Sequence, residues 1–172
     1  MKQLHLSLIV LLALLLTACP KVPQGNLDLE DNKLEDNFEI KMSNGGGMIN
    51  ISENLKVSKE ESFWTYSRYG KETTVKWSTS EEELSELCKM LRKNNSSKIT
   101  SNKKEEVYDR GGYDISIQNG GHVTRLNNSG SSFIDEKWQE NFKAIRTEID
   151  DYARTKVYHG MIFLNMQSTA KV

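Results

Sequence analysis

Proline is almost missing from this chain of 172 residues, and the two that occur, Pro20 and Pro23, both stand near the N-terminus. Beyond them no residue lacks a backbone N–H, so nothing of that kind breaks a sheet ladder or a helix. Cysteine is just as scarce. Cys19 and Cys88 are the whole complement, which excludes a small scaffold stapled by several disulfides. The three histidines, His5, His122 and His159, are scattered. No H-E-x-x-H, C-x-x-C or comparable spacing brings metal ligands together, and no G-x-S-x-G elbow marks a nucleophile. Gly45-Gly46-Gly47 is followed by no Lys-Ser/Thr pair and opens no helix, so it lacks the context of a phosphate loop. Net charge is only −1, without a basic stripe interleaved with aromatics, which argues against nucleic-acid binding. Asp109, Asp114, Asp150 and Asp151 cannot be paired by spacing and read as solvated surface charges. On these grounds no catalytic residue, metal ligand or cofactor is assigned, and the chain reads as a non-enzyme.

What is present begins at the N-terminus. Lys2 gives a short basic start, and Leu6 to Leu16 is an apolar run broken only by Ser7 and Ala13. A membrane span needs about 20 apolar residues, more than this run supplies. A buried core helix would carry polar residues on one face, and Leu8 to Leu16 is apolar all round. The run ends in Leu16-Thr17-Ala18-Cys19. This resembles the signal of a bacterial lipoprotein, with its lipobox closing on the cysteine. The resemblance implies removal of residues 1–18, a diacylglyceryl thioether on Cys19 and acylation of the new amino terminus. With two or three chains the anchor would be effectively permanent, since each buried CH₂ contributes roughly 0.8 kcal/mol. Pro20, rather than Asp, after the cysteine points by analogy to the outer membrane. The membrane would thus be one partner, reached through the Cys19 lipid.

Residues 19–37 read as the lipidated cysteine and a flexible tether, polar and rich in acidic side chains. The domain is placed at 38–155. Phe38, Ile40 and Met42 alternate with polar residues, Asn44 to Gly47 is a turn, and Ile49 and Ile51 resume the alternation, which predicts a β-hairpin. A second hairpin is expected from Phe63–Tyr69 and Thr73–Trp77 around Gly70. Thr79 and Ser80 before Glu81, Glu82 and Glu83 offer capping boxes. Leu84, Leu87, Cys88 and Leu91 then follow helical spacing. Cys88, on that apolar face, reads as a buried and inert thiol. A polar loop is expected over 96–106. Another hairpin turns at Asn119-Gly120-Gly121, with His122 as a surface strand residue. A second helix starts near Asp135, with Trp138, Phe142, Ile145, Ile149 and Tyr152 as its stripe. Residues 156–172 form a tail whose Met161–Leu164 run reads either as a final strand or as an extension packed on the sheet. The fold class is therefore α+β: an antiparallel sheet of hairpins with two amphipathic helices packed on one face.

One stretch suggests a contact surface. In Phe63-Trp64-Thr65-Tyr66-Ser67-Arg68-Tyr69, alternation puts Phe63 and Tyr69 on one strand face and Trp64 and Tyr66 on the other. Aromatics with arginine are favoured interface residues, which makes Trp64, Tyr66 and Arg68 candidates for binding a protein partner. The alternative is that both faces are packed. The order of strands, helix, glycine-turn hairpin and closing helix over residues 38–153 resembles small envelope lipoproteins and is similar to emfourin-type inhibitors of secreted metalloproteases. That resemblance lies in organisation and assigns no residue a role. The expectation is a lipid-anchored, non-catalytic protein-binding module of the cell envelope. An inhibitor or immunity protein against a secreted enzyme, an envelope assembly factor and a small hydrolase remain alternatives.

Overall fold

The computed structural model describes residues 34–45, 50–103 and 110–169, the last eleven of these by backbone alone. Three hairpins, and so six strands, follow from the turn signals; eight strands are present among the described residues. In chain order the elements are β1 (Glu39–Gly45), β2 (Ile51–Ser58), β3 (Ser62–Arg68), β4 (Lys71–Trp77), α1 (Glu81–Lys93), β5 (Ser101–Lys103), β6 (Gly112–Asn119), β7 (His122–Asn128), β8 (Ser132–Ile134) and α2 (Gln139–Thr169). Six strands form one antiparallel sheet in the order β4-β3-β2-β1-β6-β7, and β5 pairs with β8 in a small ribbon. The expected α+β class and the antiparallel hairpins are what the structure has.

The pleat sorts the side chains. Because alternate residues point to opposite faces, the register lines up rows across the sheet. One row runs Val75, Trp64, Leu55, Met42, Ile115 and Leu126. The next, one pleat along, runs Thr73, Tyr66, Glu53, Asn44, Tyr113 and Asn128. Both rows lie on the inner face, which carries the core. Leu84, Leu87, Cys88 and Leu91 of α1 and Phe142, Ile145, Ile149 and Ala153 of α2 complete it. The outer face is polar. There burial pushes the Glu39 carboxyl up, but hydrogen bonds and charge from Lys41 and Lys56 outweigh that and hold it below its ordinary range.

Local chemistry fixes the element ends. The Ser80 hydroxyl accepts the Glu83 N–H at 3.2 Å, and the Glu83 carboxylate accepts the Ser80 N–H at 2.9 Å, closing a capping box on α1. The same carboxylate meets Lys156 of α2, which ties the two helices together. A chain of hydroxyls secures the corner below them. Ser62 and Thr79 share a hydrogen bond of 2.6 Å, and Thr79 and Tyr152 share one of 3.0 Å. The β3–β4 turn has Tyr69 at φ +50° and Gly70 at φ +75°, the paired positive values of a type I′ turn. At Gly112 the neighbouring strand comes so close that a Cβ would lie 2.1 Å from the Asn128 carbonyl oxygen, so only glycine fits.

Four expectations change. Tyr69 does not share a strand face with Phe63; it sits in the turn, 67% exposed, because a two-residue loop between Arg68 and Lys71 needs it there. The segment expected as a polar loop over 96–106 contains a 3₁₀ turn at Ser96–Lys98 and β5, whose backbone pairs with β8. The packed region reaches back into the expected tether. Leu34 packs on the core, the Glu35 N–H donates to Asn119 Oδ1 at 2.9 Å, and Asn37 holds Gly120 through both its side-chain atoms. The 156–172 tail is no strand through Met161–Leu164, since α2 runs on to Thr169. Apolar residues at 149, 153, 157, 161 and 164 keep the helical spacing, and a single Gly160 costs only about 1 kcal/mol in a helix. Ile49, Asp109, Cys19 and the signal segment lie outside the described residues. No helix among the described residues is long and apolar enough to cross a membrane.

Candidate functional site

The inner face is covered unevenly. Along α2 the buried stripe runs Phe142, Ile145, Ile149 and then Ala153. Where the stripe steps down from isoleucine to alanine, the helix leaves space above the sheet. A cavity of about 410 Å³ opens there. Its floor is the apolar row at Met42, Leu55 and Trp64. Its polar side is the next row, at Asn44, Glu53 and Tyr113. Asp150, Ala153, Arg154, Val157 and Tyr158 of α2 form the roof and rim. The volume lies within the usual range for a small-ligand or side-chain pocket, and the mixture of apolar floor and few polar groups is typical of one.

Trp64 and Tyr66 are both half-buried, and their rings stack with centroids 5.7 Å apart. Trp64 lines the cavity and also packs on the core. Tyr66 lies beside Glu53 in the cross-strand register. Arg68 is exposed, with its guanidinium 5.3 Å from the Tyr69 ring centroid. Of the three sequence candidates, the structure therefore brings Trp64 into the cavity lining, stacks Tyr66 against it outside that lining, and leaves Arg68 at the turn.

The electrostatics come from residues that spacing did not single out. Glu53 accepts a long hydrogen bond of 3.4 Å from Asn44. Asp150 is half-buried, and no described residue hydrogen-bonds its carboxylate. Burial is the main cause that lifts its carboxyl above the ordinary aspartate range. Glu53 adds to the rise, while Arg146 and Arg154 oppose it without cancelling it. Burial likewise pushes the Tyr113 phenol up, with Asp150 adding to the effect. Arg146 lies over the Tyr113 ring at 4.8 Å. Two carboxylates thus line one cavity with Arg154, and at Asp150 the arginines do not offset burial.

Glu53 was visible in principle, since alternation from Leu55 and Val57 places it on the core face. Asp150 was hidden because Arg146 and Arg154, one turn to either side, make it look like a surface ion-pair row. Elsewhere, a wider groove between the helices is lined by Glu82, Glu83, Glu86, Lys89, Lys93 and Lys156, several of which pair with one another. Cys88 is buried, and burial pushes its thiol up, as in an inert core cysteine. No cluster of three or more metal-ligating side chains occurs among the described residues. No protein-family model, curated protein or solved structure matches the chain.

Proposed function

We propose that this chain is a lipid-anchored, non-catalytic binding protein of the cell envelope, held at the membrane through Cys19 and presenting the Trp64 cavity to a protein partner. The cavity carries the reading. It is concave, has an aromatic and aliphatic floor, and adjoins a stacked aromatic pair that the helices leave half-covered. Such rings are the residues that most often anchor interfaces. The N-terminal lipobox supports the location, and Pro20 supports the outer membrane within it. An inhibitor or immunity protein against a secreted enzyme is the subclass that a single side-chain pocket on a tethered domain suits best.

Glu53 and Asp150 favour a second reading, a small hydrolase, because convergent ionisable groups at a cavity are also what acid–base chemistry uses. The binding reading is preferred because the floor is apolar and, among the described residues, no nucleophile with a neighbouring base adjoins it. The test is Trp64→Ala in the full chain, with partner capture from solubilised envelopes and thermal melting measured side by side. The binding reading expects capture to fall by about thirtyfold or more, with a melting temperature that leaves the domain folded at the assay temperature. Unchanged capture by a folded variant would remove the aromatic site from the proposal.

A further inference from the structure

We infer that the Trp64 cavity takes a basic side chain, a lysine or arginine of the protein partner, with its alkyl stem on Trp64 and Leu55 and its cationic head between Glu53 and Asp150. The inference rests on the binding-module reading and names the chemistry of what that site receives.

Three observations converge. The cavity is apolar at its floor and carries two carboxylates, Glu53 from β2 and Asp150 from α2, against one cation, Arg154, in its lining. An amphipathic side chain matches this division, because lysine and arginine bury an aliphatic stem while the charged head seeks polar partners. Aromatic side chains line the same space. Trp64 and Tyr113 flank the interior, and Tyr158 stands at the rim, 67% exposed. Ring faces attract cations, tryptophan most strongly. The third observation is the unmet demand of Asp150. It is half-buried, no described residue donates to it, and the nearby arginines leave its burial uncompensated. Arg146 is held against the Tyr113 ring and Arg154 is exposed. A donor from outside would supply the missing hydrogen bonds, and a charged donor forms the stronger ones.

The chain has three tryptophans, Trp64, Trp77 and Trp138, so its indole N–H signals make a short spectrum with built-in controls. The full chain, ¹⁵N-labelled and held in detergent micelles, is titrated with the pentapeptide Ac-Gly-Ser-Lys-Ser-Gly-amide and with its norleucine counterpart. The expected result is a saturable shift of the Trp64 indole alone, with the norleucine peptide at least about tenfold weaker. Glu53→Gln and Asp150→Asn should each weaken the lysine peptide by about tenfold. Ala153→Leu, which fills the cavity from the roof, should abolish the shift while the other two indoles stay in place.

Equal binding of the norleucine peptide would overturn the cationic occupant and leave the binding module standing with an apolar one. Tighter binding of spermidine than of the lysine peptide would overturn the protein source. Absence of any Trp64 shift with all three probes would overturn the inference. The binding-module reading fails separately, if the unaltered chain captures no envelope partner that depends on Trp64.

Discussion

Trp64 and Tyr66 stand two residues apart on β3 with their rings inclined by only 15°, so the strand's own spacing stacks them along the inner face. The stack has a direction. Trp64 reaches toward Leu55 and Val75, in the apolar row, and Tyr66 toward Glu53 and Thr73, in the polar one. The pair therefore straddles the line where the core gives way to solvent. A side chain arriving at that line meets ring faces whose positions are already set, which lowers the ordering cost of binding.

Glu39 and Asp150 should give opposite responses to pH. The Asp150 carboxyl is raised in the fold, so the folded chain holds a proton there that the unfolded chain has released. Stability is therefore lost as pH rises from the ordinary aspartate range through the raised value. Asp150→Asn should melt at a higher temperature than the parent at neutral pH and converge with it in acid. Glu39 is lowered, so its contribution is present above the ordinary glutamate range and lost as pH falls through the folded value. Glu39→Gln should be the less stable at neutral pH, by up to about 1 kcal/mol, and should converge with the parent in acid. Thermal melts from about pH 2 to about pH 8, which bracket the ordinary carboxylate range near about 4, check both signs. The same direction for both would refute the assignment.

Leu87 and Glu86 are adjacent in α1 but face opposite ways. Leu87 is buried in the core, while Glu86 is exposed beside Lys89. Leu87→Ala should cost about 2–5 kcal/mol, and Glu86→Ala less than about 0.5 kcal/mol. Urea denaturation distinguishes them, and equal midpoints would contradict the helix face.

Ser80→Ala removes half of the capping box and should cost about 1 kcal/mol. Because Glu83 also meets Lys156, the loss should couple to the second helix. A double-mutant cycle with Lys156→Met would then show non-additivity, whereas strict additivity would mean that the two contacts of Glu83 act independently.

Cys19→Ala should abolish incorporation of a palmitate analogue and leave unprocessed precursor, because thioether formation needs the thiol. Labelling of the substituted chain at the parent level would end the lipoprotein proposal.

Much of this architecture is legible from local chemistry. Helix α1 announces itself through Ser80, Glu83 and the Leu84–Leu87–Cys88–Leu91 spacing, and the structure closes the box as the sequence suggests. The hairpin turns are similarly plain, since Gly70 and Gly120 sit where positive φ is required. What escapes reading is non-local or lacks contrast. The pairing of Ile40 with Ile117 and Met42 with Ile115 joins β1 to a strand more than seventy residues away, and no turn records it. The Ser101–Lys103 strand has no apolar alternation to give it away; backbone pairing with β8 and the Asn102–Asp135 hydrogen bond hold it. The cavity is harder still. Its lining joins Ala153, the small residue on a stripe of large ones, to Glu53 and Asp150 on two different elements. Pattern shows which face a residue takes, but not what volume is left above it.

The most direct measurement is photo-crosslinking in intact cells, with p-benzoylphenylalanine placed at Tyr66 on the inner face or at Phe63 on the outer face of the same strand. A binding site at the Trp64 cavity should give a discrete protein adduct from position 66 in the membrane fraction, lost when Ala153→Leu fills the cavity, and none from position 63. No adduct from position 66, or equal adducts from both positions, would contradict it.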